Sequence, residues 1–464
     1  MKIEQLYTNC LAEAAYFIED NGECAIIDPL RETQPYIERI EASGTKLKFI
    51  FETHFHADFV SGHVDLAAKT NATIVYGPGA TTAYEVVNAT DGQEFKVGRL
   101  TIKALHTPGH TLESTCWLLS DENGKPYCIF TGDTLFIGDV GRPDLAIKSD
   151  LTQNDLAGMM YDSLRNKIMP LADDIIVYPA HGAGSSCGKN MSKETFDTLG
   201  NQKQVNYALR PQLTKEQFIA ELTDGILPAP QYFAKNAALN KNGYNNIDAV
   251  LANAHRSLTV EQFKSEMDKG ALVLDVRHQS EFGKGFIPGS AFFGLDGTFA
   301  MWVGTLVEDL NAPLLLVCPQ GREEEAVTRL ARVGYDNVIG VLEGSFAAWQ
   351  STGEPTDTIT TLMTDDFATQ YRENQLNVLD VRKPGEFEAG HLPDAQNKPL
   401  DFFLSESGTI DTNKTYHIHC AGGYRSMIYA SLLRRMGVKN LYDIDGGFGK
   451  IKTTGLPVTE GVHA

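Results

Sequence analysis

Thr53-His54-Phe55-His56-Ala57-Asp58-Phe59 is the stretch on which the reading turns: imidazole and carboxylate groups recur every second residue, and the aromatic Phe59 follows them. The apolar run Phe49-Ile50-Phe51 comes just before it, which puts the motif on a loop leaving a buried strand. Such a loop can aim two imidazoles and one carboxylate at a single point. A lone His-x-His is more often a strand end with incidental histidines. Here the motif has company. His106-Thr107-Pro108-Gly109-His110, Phe130-Thr131-Gly132-Asp133-Thr134 and Tyr178-Pro179-Ala180-His181-Gly182 each follow an expected strand and carry a turn-forming Gly or Pro. Four ligand-bearing strand ends in one chain point to a metal centre.

Short apolar strands such as Ala25-Ile26-Ile27 and Thr73-Ile74-Val75-Tyr76 alternate with amphipathic segments, which predicts a layered α/β domain over residues 1–240. Residues 213–256 are rich in Asn, Ala and Lys and read as a terminal helix and a linker. An internal repeat follows. Leu274-Asp275-Val276-Arg277 with Glu281-Phe282 is echoed by Leu379-Asp380-Val381-Arg382 with Glu386-Phe387. Glu343-Gly344-Ser345-Phe346 is likewise echoed by Asp445-Gly446-Gly447-Phe448. The repeat divides the rest into segments 257–356 and 357–464, each expected to form a small parallel sheet with flanking helices.

The chain of 464 residues has room for roughly three domains. Its formal charge of −20 argues against a nucleic-acid or anionic-membrane partner, which would reward a basic face. No apolar run of membrane-spanning length and no signal-peptide layout is present, so a cytoplasmic location is expected. The seven cysteines are dispersed, without the close pairs of a zinc module or a disulfide framework.

Two of those cysteines open the same loop in the two repeats. Cys420-Ala421-Gly422-Gly423-Tyr424-Arg425-Ser426 follows an apolar strand and precedes a helical pattern. A helix N-terminus, backbone N–H groups freed by glycine and the Arg425 guanidinium would together favour a thiolate that holds sulfur as a persulfide. The first copy reads Cys318-Pro319-Gln320-Gly321-Arg322-Glu323-Glu324-Glu325, with its Arg one position early and three carboxylates at the loop exit. Those charges disfavour a thiolate and repel anionic acceptors. Cys318 is therefore expected to be silent.

Through the four strand-end motifs, residues 1–240 resemble the metallo-β-lactamase fold in its glyoxalase II and persulfide dioxygenase branch. Through the repeat and the Cys420 loop, the rest resembles a tandem of rhodanese domains. The resemblance implies an αββα sandwich followed by two rhodanese-like α/β domains. It implies His54, His110 and Asp133 as ligands of one Fe(II) per chain, a facial triad that leaves positions for O2 and substrate. His56, Asp58 and His181 match further ligand positions of the two-metal hydrolase relatives, whereas Phe59 does not. Gly141-Arg142-Pro143-Asp144 matches a stretch of the dioxygenases, where Arg142 with Asp144 would hold an anionic persulfide or form a structural ion pair. Tyr178 matches the Tyr of their Tyr-Pro-Ala-His segment. Cys187 lies six residues past His181, at the pocket mouth or on a solvent-facing loop.

The implied activity is oxidation of a low-molecular-weight thiol persulfide by O2 to sulfite, with Cys420 and Arg425 transferring sulfur to give thiosulfate. A homo-oligomer is expected. Two rivals stay open: a glyoxalase II-type dinuclear thioester hydrolase, and a non-oxidising sulfur carrier or persulfide sensor.

Overall fold

The run Lys46–Phe51 forms a parallel strand between Glu23–Ile27 and Thr73–Tyr76, and its end is the point from which the His54 loop departs. The computed structural model describes residues 1–146, 151–254 and 256–459. His255 of the expected linker and the end of the last segment at 464 lie outside the described residues. The chain divides into two compact units, one holding Met1–Ile247 and the other most of the chain from Asp248 on.

The first unit is built on two six-stranded sheets. One runs in chain order from Lys2–Thr8 to Val87–Asn88, and the other runs in reverse order from Asp197–Thr198 to Glu94–Val97. Alternation along the strands sends one face of each sheet inward. Tyr16, Ile18, Phe51 and Val75 of the first meet Phe95, Ile102, Trp117 and Phe130 of the second in one apolar core. The outer faces are covered by helices. Gln34–Ser43 and His63–Thr70 pack against Phe17, Ile26 and Ile50, while Gln153–Ser163 and Lys215–Thr223 cover Ile129 and Val177. The result is the expected αββα sandwich.

The segment read as one helix and a linker holds three helices, Lys215–Thr223, Phe233–Asn242 and Ile247–Ala254. Its Asn and Lys content looked like linker chemistry, but the buried Phe218, Leu222 and Phe233 anchor it by packing.

The second unit holds two five-stranded parallel sheets of the same strand order. The first is led by Ser257–Leu258 and the second by Thr360–Leu362. The repeat extends to single hydrogen bonds. Arg277 clasps Asp275 and donates to Gly285 O at 2.8 Å, and Arg382 clasps Asp380 and donates to Gly390 O at 2.8 Å. Among the described residues no helix is long and apolar enough to cross a membrane.

Candidate metal centre and thiol loop

Four strands end at the same rim of the sandwich: Lys46–Phe51, Leu100–His106, Pro126–Gly132 and Ile176–Pro179. The loops that leave them bring His54, His110, Asp133 and His181 together. His110 Nε2 lies 3.3 Å and His54 Nε2 3.9 Å from Asp133 Oδ2. His181 Nε2 stands 3.6 Å from Asp133 Oδ1 and 3.2 Å from Asp58 Oδ2. All of these groups are buried.

The outer nitrogens are already engaged. His54 Nδ1 meets Thr53 Oγ1 at 2.9 Å, His110 Nδ1 meets Arg142 O at 2.9 Å, and His181 Nδ1 meets Ala12 O at 3.2 Å. Such partners set ring orientation and leave Nε2 for a metal. His110 Nε2, His181 Nε2 and both Asp133 oxygens are buried with no hydrogen-bond partner, an arrangement costing several kcal/mol unless a cation satisfies it. Burial, with His56, His110 and His181 adding to it, holds His54 well below its ordinary value, in the neutral form that ligates. The donor set therefore fits a metal ion.

Backbone geometry explains the glycines around it. A Cβ on Gly141 would stand 2.1 Å from Asp133 O and 2.9 Å from His110 Nδ1, so only glycine lets the Arg142 segment come this close.

The His54 loop is held by residues that no motif marked. Asp28 accepts from Thr53 N–H at 2.7 Å and from Thr53 Oγ1 at 2.8 Å, and Glu113 accepts from Phe55 N–H at 3.0 Å. Asn240, buried in the helix Phe233–Asn242, donates to His56 O and Phe59 O at 2.7 and 2.8 Å and accepts from Ser61 N–H at 2.8 Å.

A second potential ligand set, His56, Asp58 and His181, adjoins the first. Within it His56 is drawn toward Asp28, with Nε2 3.1 Å from Oδ1, and the fully buried Phe59 ring lies 4.3 Å from its own.

Arg142, Tyr178 and Cys187 differ in how near they come to the ligand atoms. Arg142 pairs with Asp144 at 2.6 and 2.7 Å and donates to Ser186 O and Leu227 O, bonds that occupy Nε, both N–H groups of Nη2 and one of the two on Nη1. Tyr178 pairs with Phe130 across the sheet, so its ring stacks on Phe130 at 5.5 Å and meets Tyr16 at 5.3 Å, in the core rather than among the ligand atoms. Cys187 faces no solvent: it is buried, its sulfur within 4.8 Å of ligand atoms of Asp133 and His181. Burial, then Asp58 and Asp133, pushes its thiol well up. Beside the triad a cleft of about 490 Å³ is lined by Phe55, Thr111, Asp144, Phe233 and Lys241.

In the second unit, Cys420 ends the strand Thr415–His419 and precedes the helix Tyr424–Arg435. Gly423, at φ 104°, turns its N–H onto Cys420 Sγ at 3.1 Å. The turn at Gly446 and Gly447 backs the loop, Phe448 N–H reaching Cys420 O at 2.7 Å. Arg425 does not reach the sulfur by hydrogen bond: both its terminal nitrogens go to Glu386, at 2.6 and 2.7 Å, and its charge acts on the thiol only through space. In the first copy, burial and then Glu323 push the Cys318 thiol up. The cleft there is lined by Glu323, Glu324 and Glu343. All seven cysteines are free.

Residues 8–181 match the family described as the metallo-beta-lactamase superfamily, and residues 259–352 and 363–454 match the rhodanese-like domain. The chain is 32% identical over 198 residues to a probable hydroxyacylglutathione hydrolase of Schizosaccharomyces pombe, covering 42% of this chain and 72% of that protein. It is 27% identical over 232 residues to the mitochondrial persulfide dioxygenase ETHE1 of Homo sapiens, covering 49% and 83%. A solved structure titled as a metallo-beta-lactamase from Staphylococcus aureus superposes with a TM-score of 0.64 at 31% identity, over 74% of this chain and 98% of that one. The chain thus belongs to the metallo-beta-lactamase superfamily and carries a tandem of rhodanese-like domains behind its metal-binding fold.

Proposed function

We propose that the protein is a persulfide dioxygenase with sulfurtransferase activity. One persulfide RSSH, one O2 and one water give the thiol RSH, sulfite and two protons. The outer sulfur of another persulfide moves to the Cys420 thiolate, releasing RS⁻, and then to sulfite, which yields thiosulfate and restores the thiolate. The observation that supports this is the cluster of His54, His110 and Asp133, in which His110 Nε2 and both Asp133 oxygens are buried and unpartnered, in the same chain as a thiol held at a helix N-terminus.

Fe(II) in that triad would bind O2 and accept and return electrons during oxidation of the outer sulfur. The chain's own residues do the rest. Thr53 and Arg142 O orient the two imidazoles, the apolar wall at Phe55 and Phe233 shields the cleft, and Cys187, buried beside Asp133 and His181, would take up or hand on substrate sulfur. Coupling carrier and oxidiser in one chain raises the local concentration of the reactive sulfur. The reading goes with a homo-oligomer in the cytoplasm that binds neither nucleic acid nor membrane, in keeping with the net charge of −20.

A second reading has its own support. His56, Asp58 and His181 could hold a second ion, and the similarity to a hydroxyacylglutathione hydrolase is as strong as that to the dioxygenase. Thioester hydrolysis needs no O2. Acyl-glutathione and glutathione persulfide are therefore supplied in turn, with and without O2, and thiol, sulfite and thiosulfate are measured. Sulfite from the persulfide only under O2 supports the dioxygenase, and rapid anaerobic cleavage of the thioester supports the hydrolase. Under a pure sulfur-carrier reading, His110→Ala would change nothing while Cys420→Ser abolished all activity.

A further inference from the structure

The first repeat carries a thiol that is buried and faced by carboxylates, yet its loops reach the second repeat at the Cys420 cradle. Tyr424, the first residue of the helix that follows Gly423, donates its hydroxyl to Gly294 O at 2.7 Å. Its ring lies flat on Gly297, where an added Cβ would come within 2.3 Å of Cζ, and stands 6.1 Å from the Phe292 ring. Farther along the same helix, Ser431 Oγ accepts from Phe292 N–H at 3.0 Å, and Arg435 donates to Gly289 O. The helix thus covers the edge strand Ala291–Phe292, whose outer N–H would otherwise need water.

The loop that receives Tyr424 is itself pinned by the altered thiol loop of the first repeat. Arg329 donates to Leu295 O at 2.6 Å and to Gly297 O at 2.8 Å, and pairs with Glu325. Glu325 in turn takes Arg322 at 2.8 and 2.9 Å, while Arg322 reaches Asp296 at 2.6 Å. Glu325, one of the acids that push the Cys318 thiol up, is therefore a member of a network ending at Gly294–Gly297.

We propose that the first repeat is a positioning element for the second: through Glu325, Arg329 and the loop 294–297 it anchors Tyr424, and so fixes the turn in which Gly423 N–H meets the Cys420 sulfur. Tyr424 is a positioning residue, acting through the backbone that follows the thiol. The proposal rests on Cys420 being the reactive thiol of the preceding section. Loss of the anchor leaves the cysteine in place but loosens the N–H donor and the helix terminus that favour its thiolate.

The test uses the full chain as wild type, Tyr424→Phe and Gly297→Ala. The phenylalanine variant keeps the ring and its packing, and the alanine variant pushes on that ring from the other repeat. Alkylation of Cys420 by iodoacetamide, in which the thiolate displaces iodide, is followed against pH by peptide mass. Thiocyanate formation from thiosulfate and cyanide gives kcat and KM separately. Both variants are expected to move the alkylation midpoint up by about half a pH unit or more and to lower kcat about three- to tenfold, with KM changed less. Wild-type midpoints in both variants would overturn the proposal. So would a shift in Tyr424→Phe with none in Gly297→Ala, because the effect would then belong to the second repeat alone. If the wild type makes no thiocyanate, sulfur transfer by Cys420 fails while the alkylation midpoints still decide the anchor.

Discussion

His56 Nε2 stands 3.1 Å from Asp28 Oδ1, and this pairing draws the imidazole toward the acids behind the His54 loop. Burial works against a charge on His56, but Asp28, Glu52 and Asp58 outweigh it and hold the ring up at about 9. With Phe59 packed on the same ring, the second ligand set lacks one imidazole by sequence and has the other engaged elsewhere.

Phe59→His is therefore expected to restore two-metal binding. Metal analysis should rise from about one to about two ions per chain, with a gain in acyl-glutathione hydrolysis. An unchanged metal content would mean that the His56–Asp28 pair, not Phe59, limits the site.

Asn240→Ala removes three hydrogen bonds to the His54 loop at once. Leaving those buried backbone groups unpaired should cost about 2–4 kcal/mol, read as a lower Tm, and should increase metal loss on dialysis. A variant with wild-type Tm and metal retention would show that the loop holds itself.

Tyr178→Phe is expected to be nearly silent, within about twofold of wild type in O2 uptake, because the ring belongs to the aromatic core and phenylalanine preserves that packing. A loss of a hundredfold would return the hydroxyl to a catalytic role.

Cys318 and Cys420 should separate by pH. The Cys318 thiol is pushed up by burial and by Glu323, so it stays protonated, and slow to alkylate, through neutral pH and becomes reactive only well into the alkaline range. Cys420→Ser should abolish sulfur transfer and Cys318→Ser should leave it intact. The reverse pattern, read as thiocyanate formation, would exchange the roles of the two repeats.

What the sequence made legible was what it carries contiguously. Each metal-ligand motif is a short run at one strand end, so His54, His110, Asp133 and His181 could be recognised without knowing how the strands pair, and the repeat survives in matched runs such as Asp275-Val276-Arg277. Partners far along the chain left no such trace. Asn240 meets the metal loop from 179 residues away or more, and it sat in a stretch whose composition looked like linker. Glu386 lies 39 residues before Arg425, so nothing in the loop spacing showed that the guanidinium was already taken. For Tyr178 the motif names a neighbour of His181 but not the face of the strand, and strand alternation turns the half-buried ring toward Tyr16 and Phe130.

The proposed chemistry is one metal ion oxidising a persulfide with O2. The most direct measurement is metal analysis of anaerobically purified protein, followed by O2 uptake on adding a thiol persulfide, with His110→Ala as control. About one iron per chain is expected, with persulfide-dependent O2 consumption that His110→Ala abolishes. Iron-loaded protein that consumes no O2 with persulfide would contradict it.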